Sequence, residues 1–288
     1  MPDKFAATWV SHSSIKDYLA CPRAYFLKNI YKDPKTGHKI QIISPALSLG
    51  QVVHQVLEEL SVKTLEDRFK NSLVARFEQL WPGVSGKKGG FRSDSQELKF
   101  KERGRMMLQK VMKNPGPLKQ LAVKIKEELP FYWISQADEI ILCGKIDWLE
   151  YLSATNSVRI IDFKTSLREE QSDSLQLPIY LLLVTNTQHR QVSGLSYWYL
   201  EWADEPQVQP MPDLDESKRQ ILEVAKKIKL AKKLDHFNCP AGENGCPFCQ
   251  PFKKILRGEA ELVGQGGFGR DIYILPGAEG AMMESEVL

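Results

Sequence analysis

Three charged side chains stand in stretches that are otherwise apolar. Asp147 ends the run E-I-I-L-C-G-K-I-D, and Asp162 and Lys164 interrupt V-R-I-I-D-F-K-T. Charges rarely sit inside β-rich apolar runs unless they are paired or bind something. The polar turn A-T-N-S between the runs, with Asn156 and Ser157, predicts an antiparallel hairpin. Alternation along a strand puts Asp162 and Lys164 on one face and Phe163 on the other. Two carboxylates and a lysine on neighbouring strands suit a divalent-metal site. Such an ion polarises a phosphate and acidifies water, while the lysine holds the attacking water or neutralises phosphoryl oxygens. A buried Asp–Lys salt bridge in a sheet is the other reading of the same residues.

Together G-K-I-D (144–147), I-I-D-F-K-T (160–165) and Q-L-P-I-Y (176–180) resemble the RecB-type nucleases of the PD-(D/E)xK superfamily. Among these are the CRISPR-associated exonuclease and the AddB/RecB C-terminal nuclease domains. The resemblance implies an α/β fold with a restriction-endonuclease-like core, a central mixed sheet flanked by helices. It implies that Asp147, Asp162, the carbonyl of Phe163 and His54 hold Mg²⁺ or Mn²⁺, and that Lys164 is the catalytic lysine. Gln176 and Tyr180, four apart and so on one helix face, would look back into the site. The implied activity is cleavage of DNA, as an exonuclease on single strands or free ends, in repair, recombination or CRISPR adaptation. A helicase or another repair or CRISPR protein would be the partner. No P-loop signature is present, so the chain supplies no motor of its own.

Elements that must position these groups can be read around them. Residues 47–60 form an amphipathic helix with Gly50, His54 and Leu57 near one stripe. A lone histidine there is ordinarily a core residue, but the family's G-x-x-x-H motif makes His54 a site residue, with Glu58 one turn on as an assistant. The segment 11–31 starts at an N-cap, Ser13 or Ser14, and is interrupted by Pro22. Residues 61–81 continue as helix, 82–90 are a flexible loop, and Ser95–Met112 is helical, so 61–120 reads as a helical insertion. Phe131, Tyr132 and Trp133 lead into the sheet; exposed rings there would stack on bases. A third strand, 194–202, a Pro-rich loop, 206–213, and a basic helix, 215–235, follow.

Cys239, Cys246 and Cys249 lie in a Gly/Pro-rich loop within 236–251, and C-P-F-C makes a chelating turn. With Cys21 they give four thiolates, suited to an iron–sulfur cluster or tetrahedral zinc. With His236 they give a local Cys₃His zinc knuckle. The resemblance implies the four-cysteine set and a [4Fe–4S] cluster, although the cysteine spacing departs from the family's usual order. Cys143 reads as core.

The net charge of +3 permits a nucleic-acid partner without arguing for one. Basic residues gather at 99–126 and 218–233, where solvated helix faces also explain them. Met1–Val10 has no apolar core of a signal peptide, and the run Ile179–Val184 is too short to cross a bilayer; the expected place is the cytoplasm, away from membranes. The expected organisation is one nuclease domain over 1–262, then a hairpin and flexible tail over 263–288. Two other readings remain: a non-catalytic nucleic-acid-binding or assembly subunit, and a redox or zinc sensor.

Overall fold

The computed structural model describes residues 3–125, 127, 129–267 and 269–276. The chain opens with strand β1 (Thr8–Val10) and helices α1 (His12–Ala20) and α2 (Pro22–Asn29), then β2 (Lys39–Ile42) and α3 (Pro45–Glu58). Helices α4 (Leu73–Leu80) and α5 (Asp94–Lys113) follow. Next come β3 (Phe131–Ser135), β4 (Ile140–Cys143), β5 (Trp148–Leu152) and β6 (Ser157–Lys164). Helix α6 (Gln176–Thr187), β7 (Val192–Tyr199), β8 (Gln207–Gln209), α7 (Leu214–Leu234), α8 (Gln250–Leu256), β9 (Glu261–Gly266) and β10 (Arg270–Ile274) complete it.

Among the described residues the strands form three ladders, β1-β4-β3, β2-β10-β9 and β5-β6-β7-β8, each mixing parallel and antiparallel pairs. The architecture is α/β, as expected, and the antiparallel hairpin turning at A-T-N-S forms, but only over β5 and β6 and not from residue 141. The first run breaks at Gly144–Asp147: β4 belongs to one ladder, and only β5 pairs with β6. A Cβ on Gly144 would lie 2.9 Å from Leu183, so the chain passes too close to α6 there for a side chain. Asp147 therefore sits just before a strand rather than in one.

Strand β6 is flanked by β5 and by the parallel β7. Its Val158, Ile160, Ile161 and Phe163 are buried, the unbroken apolar pattern of a central strand. Helix α6 is apolar on every side because it is enclosed, touching β3, β4, β7 and α7. Helix α3 is capped by Ser44 and buries Leu49, Val52, Val53, Val56 and Leu57 against α4 and α5.

Other boundaries shift for local reasons. Ser11, not Ser13 or Ser14, caps α1, through a reciprocal pair with Ser14. Pro22 starts a second helix at its first turn, where its missing N–H costs nothing. The 61–81 helix is broken between Val62 and Leu73, where Arg68 turns inward. Its guanidinium donates to the carbonyls of Leu60 (3.1 Å), Leu118 (2.9 Å) and Gln120 (2.6 Å) and lies 5.0 Å from the Trp148 ring. The 82–90 segment is two packed 3₁₀ turns rather than a loose loop. Phe131, Tyr132 and Trp133 are half-buried. The Pro-rich segment contains β8. The C-terminal hairpin starts at Glu261, and β10 joins β2 in parallel, so it is tied to the chain's beginning. The tail expected from Glu279 to Leu288 lies outside the described residues. No described helix is long and apolar enough to cross a membrane.

Gly104 marks the tightest helix contact: a Cβ there would meet Phe77 Cζ at 2.4 Å and Leu49 Cδ1 at 2.9 Å. Overpacking costs about 1–3 kcal/mol, against a helix-propensity gain of about 1 kcal/mol. Gly104→Ala is therefore expected to lower the denaturant midpoint; an unchanged or higher midpoint would contradict this packing.

Candidate active site

The site is assembled where α3, the turn before β5 and the end of β6 meet. Gly50 lets α3 approach β6, since a Cβ there would already stand 3.3 Å from Thr165 Oγ1. One turn later His54 Nδ1 lies 3.3 Å from Asp147 Oδ2. The same oxygen accepts the backbone N–H of Phe163 at 2.9 Å. The β5–β6 ladder ends at Trp148–Ile161, so Asp147 occupies the edge that a longer β5 would have filled. N–H and C=O of one strand residue point the same way, so the Phe163 carbonyl faces that edge too.

Two groups of side chains result. His54, Glu58 and Asp147 offer ligand atoms within 4.8 Å of one another, with Glu58 also paired to Lys145. Asp162, Lys164, Gln176 and Tyr180 form the other. Gln176 Nε2 donates to Asp162 Oδ1 (2.9 Å) and to Tyr180 Oη (3.2 Å), and Lys164 donates to Gln176 Oε1. Lys164 Nζ stands 3.0 Å from Asp162 Oδ2 as an ion pair, poorly aligned, so that buried oxygen has no hydrogen-bond partner. The same-face placement of Asp162 and Lys164 and the shared face of Gln176 and Tyr180 match the alternation and helix spacing. Asp162 stands apart from the three-residue ligand group, turned to Lys164 and Gln176.

The charges are unbalanced. Burial, then the neighbouring charge of Asp147, pushes the Asp162 carboxyl up to about 7, against Lys164 and His54. Burial disfavours protonated His54, but Asp147, Asp162 and Glu58 together outweigh it and raise the imidazole above its usual value. Lys164 is likewise disfavoured by burial and raised overall by Asp162 and Glu170. Burial and both aspartates lift Tyr180 well above a normal phenol. A buried carboxylate oxygen met only by an ammonium ion pair, a carboxyl pushed up by burial and by a second carboxylate, and a carbonyl facing the same edge fit a hard oxygen-seeking dication.

Sequence reasoning missed the rest of the surroundings of Lys164. Glu170 Oε2 lies 3.3 Å from its Nζ and Oε1 3.6 Å from Lys16. The Glu170 backbone N–H donates to Tyr199 Oη (2.9 Å). The Tyr197 ring lies 5.0 Å from the ammonium. His12, at the start of α1, is half-buried, and burial and the charge of Lys164 lower its pKa to about 4, so that it is neutral. Glu170 sits in the polar stretch S-L-R-E-E-Q-S-D, which has no periodicity to mark one acid. A cavity of about 470 Å³ is lined by Glu58, Val62, Lys124, Lys145 and Asp147, among others. A smaller one of about 210 Å³ lies by His12, Lys16 and Glu170.

The four cysteines converge as well. Cys21, between α1 and α2, meets Cys239, Cys246 and Cys249, their sulfurs all within 4.8 Å of one another. His236 is outside the group, exposed and 3.1 Å from the side-chain amide of Asn238. Cys143 is buried, its thiol against the Val10 carbonyl at 3.4 Å.

The sequence pattern of the PD-(D/E)XK nuclease superfamily matches residues 9–254. No curated protein matches the chain. A solved structure from Eubacterium rectale bearing the name "Putative exonuclease" is 13% identical over 84% of this chain and 87% of its own, with a TM-score of 0.47.

The unbalanced carboxyl makes a stability prediction. The folded Asp162 value, about 7, is above the unfolded value of about 3.9. Its burial thus destabilises the metal-free protein fully above pH 7, less as pH falls, and not at all below about pH 4. In chelator at pH 8, Asp162→Asn is expected to melt at or above the wild-type temperature, and the difference to close towards pH 4. Added Mn²⁺ should raise the wild-type midpoint much more than that of the variant. A wild type that outlasts the variant in chelator at pH 8 would contradict this account.

Proposed function

The chain belongs to the PD-(D/E)XK nuclease superfamily, and from that premise we propose that it is a metal-dependent DNA nuclease acting on single strands or free ends. Nucleases of this superfamily use divalent metals. The observation that carries the reading is the meeting of Asp147, the β6 edge at Phe163 and a buried Asp162 oxygen that makes no hydrogen bond and faces only the Lys164 ammonium. A structural salt bridge would need only Asp162 and Lys164; it does not account for a second carboxylate, Asp147, with His54 beside it at the same strand end.

Asp147, Asp162, the Phe163 carbonyl and His54 would hold Mg²⁺ or Mn²⁺, with Glu58 close enough to take part. Bound there, the ion supplies positive charge to the phosphate oxygens and acidifies a water. Lys164 places its ammonium beside that position, oriented by Asp162, Glu170 and Gln176, and either aligns the attacking water or meets a phosphoryl oxygen. Water attacks phosphorus in line, and the P–O bond to the leaving strand breaks. Gln176 acts by holding both Asp162 and Lys164, and Tyr180 by closing the hydrogen bonds of Gln176. Glu170 is a positioning residue: its carboxylate keeps Lys164 in place when Asp162 is committed elsewhere.

The cavity of about 470 Å³ that Asp147 helps to line leaves room for nucleotides beside the proposed metal position. Lys124 and Lys145 give it phosphate partners. An activity of this kind serves repair, recombination or CRISPR adaptation in the cytoplasm, with unwinding left to a separate helicase.

With labelled single- and double-stranded DNA and Mg²⁺ or Mn²⁺, wild-type protein is expected to degrade single strands. Asp162→Asn and Lys164→Ala should each lose roughly 10²–10³-fold in kcat. Equal rates for wild type and Asp162→Asn would mean contaminating activity and a binding or assembly subunit instead. Glu170→Gln should lower kcat roughly tenfold with KM unchanged, and cause little further loss in the Lys164→Ala background; additive losses would contradict a role through Lys164.

A further inference from the structure

The cysteine group is the other candidate centre, and its dimensions decide between the chemistries that four thiolates serve. Sulfurs bound at about 2.3 Å around one tetrahedral zinc stand about 3.8 Å apart. The terminal thiolates of a [4Fe–4S] cube, separated by the cluster itself, stand roughly 6 Å apart or more. Here Cys246 Sγ and Cys249 Sγ are 3.9 Å apart, and no pair among the four exceeds 4.8 Å. The space between them takes one ion and not a cube.

The loop is built to keep them there. Gly242 and Gly245 have φ of 74° and 85°, in the left-handed region. A Cβ on Gly245 would come within 2.8 Å of Cys249 Sγ, so the turn also needs the empty position. The Cys246 backbone N–H donates to Cys249 Sγ at 3.3 Å, a contact that favours a thiolate. Arg23 Nη1 holds the carbonyls of Gly242 and Glu243, each at 3.2 Å, and Lys253 Nζ that of Glu243 at 2.5 Å. These two side chains pin the backbone of the loop that carries the cysteines.

We propose that Cys21, Cys239, Cys246 and Cys249 hold a single structural Zn²⁺, in place of the iron–sulfur cluster that the family resemblance implies. The ion ties the α1–α2 junction to the loop between α7 and α8. It thereby anchors the far end of the helix whose first turn carries His12 beside Lys164. Zinc has no redox chemistry, so the staple is insensitive to electron transfer. This inference concerns a separate site and does not depend on DNA cleavage.

The test is metal analysis and X-ray absorption on full-length protein purified anaerobically from cells supplied with both iron and zinc. The expected result is one zinc per chain, negligible iron and sulfide, no brown colour, and a zinc edge fitted by four sulfurs at about 2.3 Å. Asp162→Asn should retain this zinc. Cys246→Ser should lose it or show three sulfurs. Should that variant fail to fold, the wild-type absorption fit decides alone. Iron and labile sulfide near four per chain would overturn the proposal, as would zinc bound mainly by nitrogen and oxygen, or thiols carrying no metal.

Discussion

One carboxylate oxygen ties the candidate centre together. Asp147 Oδ2 takes the Phe163 backbone N–H at 2.9 Å and faces His54 Nδ1 at 3.3 Å. It joins a turn, a strand end and a helix, three segments far apart in sequence. Because β5 stops short of Phe163, that backbone N–H would otherwise be a buried donor without a partner, a state costing about 1–3 kcal/mol. Satisfying it with a side-chain carboxylate brings a negative charge to the strand edge. Asp162, one residue away, then carries a second. The centre is stable as a fold and unbalanced as a set of charges, a combination expected where binding is the purpose.

The lysine side is arranged in the opposite sense. Lys164 has carboxylates at 3.0 and 3.3 Å, from Asp162 and Glu170, an amide oxygen from Gln176 and an aromatic face below. Burial disfavours the charged ammonium, and these partners outweigh it. The two halves share Asp162. A dication on the aspartates would draw on the carboxylate that now serves the lysine, which gives Glu170 and Gln176 their importance.

Much of this was legible from the residues. Asp162 and Lys164 could be placed on one face by strand alternation, and Gln176 and Tyr180 by helix spacing, because both depend only on local backbone geometry. His54 was legible through its motif with Gly50. What could not be read depends on chain paths that close over long distances. E-I-I-L-C-G-K-I-D-W-L-E-Y-L reads as one strand, and only the approach of Leu183 to Gly144 shows why it must break. The β2–β10 pairing joins opposite ends of the chain, and no local pattern announces it. Glu170 is one of several acids in an irregular segment, selected only by where Lys16 and Lys164 arrive. The four cysteines were countable in sequence, but the distances that separate one ion from a cube belong to the folded chain.

The central claim is that Asp147, Asp162 and the Phe163 carbonyl converge on one dication. Anomalous diffraction from crystals soaked in Mn²⁺ tests it most directly. The account predicts a peak within roughly 2.5 Å of an oxygen from each of these three residues. A peak held only by His54 and Glu58, with Asp162 still bound to Lys164 and Gln176, would contradict it, as would no peak at saturating Mn²⁺.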